Sequence, residues 1–233
     1  MVAHPPDSVS ARLDAVHQAV SKAANEASRQ ASDIQLLAVA KTATKKGLEE
    51  AFAAGQVQFA HNRVQELAKV SAFLPTAQWH LIGPLQKNKV RKAISLCTCF
   101  QALGDARTAQ ALQRVLEEQN AHLKVLVQVK DETDPRHGVP IPQLLEFLNK
   151  LAENSRLQVT GLMTLASPDL DDVPLRQHFA RVRRSGELAT SQLLLPPRPI
   201  LSMGMSSDYQ LAIAEGATLV RLGRALFPPL TPS

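Results

Sequence analysis

The chain has 233 residues, 45% hydrophobic and 20% charged, a usage that excludes a disordered or collagen-like chain and allows a sizeable core. Its net charge of +5, from 26 basic and 21 acidic residues, is explained more simply by solvated helices than by a nucleic-acid partner. No apolar run approaches the roughly 20 residues of a membrane helix, and Met1–Ser8 lacks the basic-then-apolar order of a secretory leader.

The expected compartment is therefore the cytoplasm, with the mitochondrion open if the source is eukaryotic. One run, Lys87–Lys92, is dense in positive charge but has no aromatic interleaving, so no nucleic acid and no membrane is expected as a partner. Cys97 and Cys99 are too few for a disulfide scaffold or a metal centre and read as reduced packing residues.

In chain order, the alanine-rich segment 11–29 reads as a helix, and the short apolar run 34–40 as a buried strand ending at Lys41. A helix over 46–54 stops at Gly55, followed by a strand at 57–60 and a helix from about 63 to 73. A third strand at 78–82 precedes a basic helix from about Lys87, and a fourth at 96–101 precedes a helix over 105–119. Strand 122–129, helix 141–151, strand 157–164 and helix 173–193 follow. A short strand at 199–203, a helix over 208–215 stopped by Gly216, and a last strand at 217–223 complete the series.

Eight strands alternating with helices, at about 30 residues per unit, predict an α/β fold: a (β/α)8 TIM barrel. An open doubly wound sheet is second choice, since its glycine-rich G-x-G-x-x-G turn is missing. The whole chain, 1–233, reads as one domain, with 1–30 an additional N-terminal helix packed on the barrel.

Functional residues of such barrels gather at the carboxyl ends of the strands. Alternation places Lys41 inward if Leu37 and Val39 face in, although position alone leaves it open between a ligand amine and a side chain that snorkels to solvent. The loops after strands seven and eight, 201–208 and 220–224, carry Gly204, Gly223, Ser202 and Ser206. They suit a phosphate, or simply an ordinary loop with Ser207 or Asp208 as a helix cap. A mouth lysine opposite a phosphate cradle suggests an aldehyde cofactor bearing a phosphate, for which pyridoxal 5′-phosphate fits both ends.

Seven segments in order strengthen this reading: Leu37–Thr42 (LAVAKT), Phe59–Glu66 (FAHNRVQE), Trp79–Lys89 (WHLIGPLQKNK), His137–Gly138, Gly161–Thr164 (GLMT), Leu201–Ser206 (LSMGMS) and Gly216–Gly223 (GATLVRLG). Together they resemble the pyridoxal phosphate homeostasis family, whose barrel is like the N-terminal domain of alanine racemase, and the likeness runs from Ile34 to Phe227. The resemblance implies a Schiff base to Lys41, with Asn62 and His80 near the cofactor. It also implies Ser202, Met205, Ser206, Gly223 and Arg224 around the phosphate, and Arg221 facing the pyridine ring. Departures from the family pattern fall at Ala60-His61, at Arg63, at Pro84 and at Arg224, where a small residue is usual.

The expected function is a carrier that holds pyridoxal phosphate for intracellular homeostasis without significant catalysis, as a monomer, with dependent apoenzymes as recipients. Two points favour it. The chain ends soon after the eighth strand, leaving no second domain of the racemase kind, and an arginine at the ring nitrogen makes the ring a poor electron sink. The alternative is a single-domain racemase or lyase, with Asn62 positioning substrate and His80 or Lys41 moving protons.

Overall fold

The computed structural model describes residues 8–167 and 169–228. Of the stretch Met1–Ser8, read above as no secretory leader, residues 1–7 lie outside them. Helix α1 (Val9–Glu26) starts at Ser8, whose side chain accepts from the Ala11 N–H at 3.2 Å. Such a cap satisfies one of the four amides a helix start leaves free. Thr44 caps α2 (Lys45–Ala53) and Asp105 caps α5 (Ala106–Glu118) in the same way. The predicted stops at Gly55 and Gly216 have φ of 95° and 102°, backbone that glycine adopts without a Cβ penalty.

The strands are β1 (Gln35–Val39), β2 (Gln58–His61), β3 (Gln78–Leu81), β4 (Cys99–Leu103), β5 (Leu123–Lys130), β6 (Val139–Pro140), β7 (Leu157–Thr164), β8 (Ile200–Ser202) and β9 (Leu219–Leu222). All pair in parallel. Eight of them close a barrel in the order β1-β2-β3-β4-β5-β7-β8-β9, with β9 returning to β1. The ninth, β6, adds two residues to the end of β5. The remaining helices are α3 (Val64–Ser71), α4 (Val90–Ile94), α6 (Leu144–Leu151), α7 (Asp172–Ser191) and α8 (Tyr209–Ala214).

Two differences from the sequence reading have a local cause. The basic helix predicted from Lys87 begins as one 3-10 turn, Lys87–Lys89, before α4. The fourth strand starts at Cys99 and not Leu96, because the amides of Leu96 and Cys97 both bond back to the Ala93 carbonyl and close the helix. Cys97 and Cys99 are buried free thiols.

The main core lies between the sheet and the helices, where Phe59 and Trp79 pack with ring centroids 5.3 Å apart. A second, smaller cluster of Leu37, Ala60 and Leu219 fills the barrel interior. Alternation then assigns Val39, Asn62, His80, Ile82 and Arg221 to that same inner side. Helix α1 covers the shell beside α8, and the Arg29 guanidinium ties the two by donating to the Ile213 and Ala217 carbonyls at 2.8 and 2.7 Å.

At Gly161 an added Cβ would meet the Ile200 carbonyl oxygen at 2.0 Å, so β7 and β8 approach closely only because this residue has no side chain. Among the described residues no helix is long and apolar enough to cross a membrane.

Candidate functional site

At the carboxyl end of the barrel a cleft of about 490 Å³ is lined by residues from β1, β2, β3, β7, β8 and β9 or the loops that follow them. Its walls carry Lys41, Asn62, Met205, Ser206, Arg221, Gly223 and Arg224, seven of the nine residues singled out from the sequence. Thr42, Ser207 and the apolar Val39, Ile82 and Leu165 complete it. Lys41 is exposed at the mouth, and among the described residues its ammonium has no carboxylate partner within 4 Å.

The other two candidates, Ser202 and His80, do not line the cleft. Both are buried in the barrel interior, where they belong to a chain of hydrogen bonds. Arg221 Nη1 donates to the Ser202 carbonyl at 2.6 Å and to Ser202 Oγ at 2.8 Å, while Nη2 donates to the Thr164 carbonyl at 2.7 Å. Ser202 Oγ in turn donates to Gln101 Oε1 at 2.7 Å, and Gln101 Nε2 lies 2.8 Å from His80 Nδ1. Thr164 continues outward through its hydroxyl to His178 at 2.9 Å, and His178 to Asp131 at 2.7 Å.

Sequence reading missed Gln101 and quoted Thr164 only as the end of the Gly161–Thr164 segment, with no role at the site. Gln101 is polar in an otherwise apolar strand and Thr164 closes the apolar run Leu162–Met163, and a polar residue buried in a strand needs a partner. That signal was present in the sequence, but the partners that join them to Arg221 lie far along the chain, Ser202 about 100 positions from Gln101 and Arg221 itself about 60 from Thr164.

Three of the five N–H donors of a guanidinium are thus consumed below the cleft, leaving two for a ligand. Burial draws the Arg221 pKa down to about 10, opposed by the nearby Asp208 carboxylate, so the group keeps its charge at neutral pH. His80 falls to about 4, mainly through burial and secondarily through Lys124, and is neutral there.

The loop between β8 and α8 is held from within. The Met205 N–H donates to Asp208 Oδ1 at 2.5 Å, and the Arg221 N–H to the Gly204 carbonyl at 3.0 Å. Gly204 has φ of 94°, and a Cβ there would meet Ala212 and Tyr209 at 2.7 and 2.9 Å, so glycine is required. Among the described residues the amides of Ser206, Ser207, Gly223 and Arg224 have no acceptor, and all four residues line the cleft. Unsatisfied backbone N–H groups on residues lining one cleft with Arg221 and Arg224 suit an anion with several oxygens.

The chain matches a family model described as alanine racemase, N-terminal domain, over residues 12–229. It is 34% identical over 221 residues to the pyridoxal phosphate homeostasis protein of Escherichia coli strain K12, covering 92% of this chain and 94% of that one. To the Deinococcus radiodurans protein of the same name it is 37% identical over 217 residues, covering 92% and 99%. The solved structure of PipY from Synechococcus elongatus PCC7942 with PLP bound superposes with a TM-score of 0.82 at 35% identity, over 94% of this chain and 100% of that one. Alanine racemase of Clostridium difficile shares the fold, with a TM-score of 0.75 at 15% identity over 61% of its own length.

Proposed function

Because the chain belongs to the pyridoxal phosphate homeostasis proteins and matches the alanine racemase N-terminal-domain model, we propose that it holds pyridoxal 5′-phosphate covalently through Lys41 without significant catalysis. One observation carries the reading. One cleft is lined by a lysine with no carboxylate partner and by four residues whose backbone amides have no acceptor among the described residues, with the Arg221 cation fixed among them.

The residues present fit the cofactor. Pyridoxal phosphate, when bound, supplies an aldehyde that condenses with an amine and a ring that withdraws electrons. Lys41 provides the amine. The amides of Ser206, Ser207, Gly223 and Arg224, with the Ser206 hydroxyl, offer donors to the phosphate. Met205 and Ile82 offer apolar contact to the ring, and Asn62 a polar one. Arg221 offers a donor that does not give up its proton, so it leaves a facing ring nitrogen as an acceptor.

The lining of the cleft is poor in acids and bases. Among the described residues it contains no carboxylate, imidazole, thiol or phenol, which leaves Lys41 and the hydroxyls of Thr42, Ser206 and Ser207, weak acids and bases, to move a proton to or from a bound amino acid. The chain's single tyrosine, Tyr209, lines a different recess beside Arg12 and Val16. A racemase needs an acid and a base on opposite faces of the carbon it inverts. His80 lies below the floor of the cleft with its Nδ1 engaged by Gln101.

An exposed Lys41 leaves the attachment point open to incoming amines, as release to recipient apoenzymes requires. Reduction with borohydride and mapping of the modified peptide tests the reading, and steady turnover of any amino acid by purified protein would overturn its non-catalytic half.

A further inference from the structure

The polar chain under the cleft has a direction, and Arg221 sets it. A guanidinium only donates, so Ser202 Oγ accepts at 2.8 Å. The single hydroxyl hydrogen of Ser202 then finds a partner only if it points to Gln101 Oε1, 2.7 Å away. With its oxygen engaged there, the fully buried Gln101 amide turns Nε2 toward His80 Nδ1 at 2.8 Å. Nδ1 must accept. An imidazole that accepts at Nδ1 carries its hydrogen on Nε2 and bears no charge. The opposite orientation of Gln101 would strand the Ser202 hydrogen in a buried position, which costs more than a hydrogen bond gains.

We infer that Gln101 is a positioning residue: it relays the donor-only character of Arg221 through Ser202 and locks His80 as the neutral Nε2–H tautomer, leaving Arg221 the one buried cation beneath the cleft. The tautomer follows from the side chains alone. Its consequence for the cofactor rests on the reading proposed above. With His80 neutral, the buried cationic charge beside the ring is that of Arg221, opposed by the Asp208 carboxylate, and the visible absorption of the bound cofactor is set against that field.

The test uses the full-length protein labelled with 15N-histidine, with and without pyridoxal phosphate, as wild type, Gln101→Glu and Ser202→Ala. Wild-type His80 is expected to show an unprotonated Nδ1 and a protonated Nε2 from pH 5 to 8. In Gln101→Glu the carboxylate accepts from Ser202 and needs a hydrogen from His80, so Nδ1 becomes protonated and the proton affinity of His80 rises about tenfold or more. The visible band of the loaded variant then shifts from that of the wild type. Ser202→Ala cuts the relay without adding charge, and His80 becomes a mixture of both tautomers.

A wild-type His80 protonated at Nδ1, or unchanged ring nitrogens in both variants, would overturn the relay. A wild-type band in loaded Gln101→Glu, with the cofactor still on Lys41, would overturn the positioning role. Failure of every form to bind pyridoxal phosphate would count against the proposed function instead, while the histidine spectra still decide the relay. If Gln101→Glu does not fold, the wild type and Ser202→Ala decide it.

Discussion

Arg221 donates to the Thr164 carbonyl at 2.7 Å, reaching from β9 across β8 to β7. The bond to the Ser202 carbonyl lies between, so one guanidinium staples three successive strands at their carboxyl ends. Replacing it with methionine leaves two buried carbonyls without their donor. Arg221→Met should lower stability by about 2–4 kcal/mol in urea unfolding and abolish cofactor retention. Arg221→Lys keeps the charge but cannot fork to both strands, and should recover only part of each. Glutamate is a poor probe here, since it would set a carboxylate against both carbonyls.

The buried His80 makes stability depend on pH. Its folded-state pKa of about 4 lies below the ordinary histidine value, so between about 4 and 6.5 the unfolded chain binds a proton that the folded one does not. That contribution is fully present above about 6.5 and is lost as the pH falls toward 4, by roughly 3 kcal/mol over the window. His80→Asn should flatten the wild-type slope there in urea unfolding at a series of pH values. Equal slopes would show that His80 does not titrate as its burial demands.

The loops after β8 and β9 should bind the phosphate more than any other part of the ligand. Pyridoxal lacking its phosphate should bind at least about tenfold more weakly, since charge-assisted bonds are roughly twice as strong as neutral ones. At Gly223 a Cβ would sit 3.1 Å from the Val39 carbonyl oxygen and 3.2 Å from Val39 Cβ. Gly223→Ala therefore crowds β1 and displaces an amide of the cradle, and should weaken retention more than Ser206→Ala does. Equilibrium dialysis of both variants, with pyridoxal phosphate and pyridoxal, gives the comparison.

A small change far from the cleft should reach it through the sheet. Gly161→Ala drives a Cβ onto the Ile200 carbonyl and must part β7 from β8, the two strands that present Thr164 and Ser202 to Arg221. Stability should fall by about 2 kcal/mol or more, with cofactor retention falling alongside it. Retained stability would mean that the strands relax independently of Arg221.

The legible part of this fold was its local part. Strand β7 appears at its observed bounds because Gly161 and the flanking apolar residues stand out, and Gly55 and Gly216 mark helix ends by their own backbone preference. Alternation along β1 was enough to bring Lys41 to the mouth beside Val39. The start of β4 was misplaced because Leu96 and Cys97 are as apolar as a strand but are spent closing α4. The two-residue β6 offers no pattern at all. In the site, residues at strand ends and glycine loops were found from position and resemblance. Ser202, from its loop and the resemblance, and His80, from the resemblance alone, were expected at the cofactor, and only the closed barrel shows that Arg221 and Gln101 occupy their polar atoms. Gln101 and Thr164 depend wholly on strand closure for their meaning.

The most direct test of the central claim is the visible spectrum of purified protein loaded with pyridoxal phosphate, for wild type and Lys41→Ala, followed by borohydride reduction and mass mapping. The account predicts a visible band for the wild type, its loss in Lys41→Ala, and a reduced adduct on the peptide carrying Lys41. A band that survives in Lys41→Ala, or an adduct on Lys45 or Lys46, would contradict it.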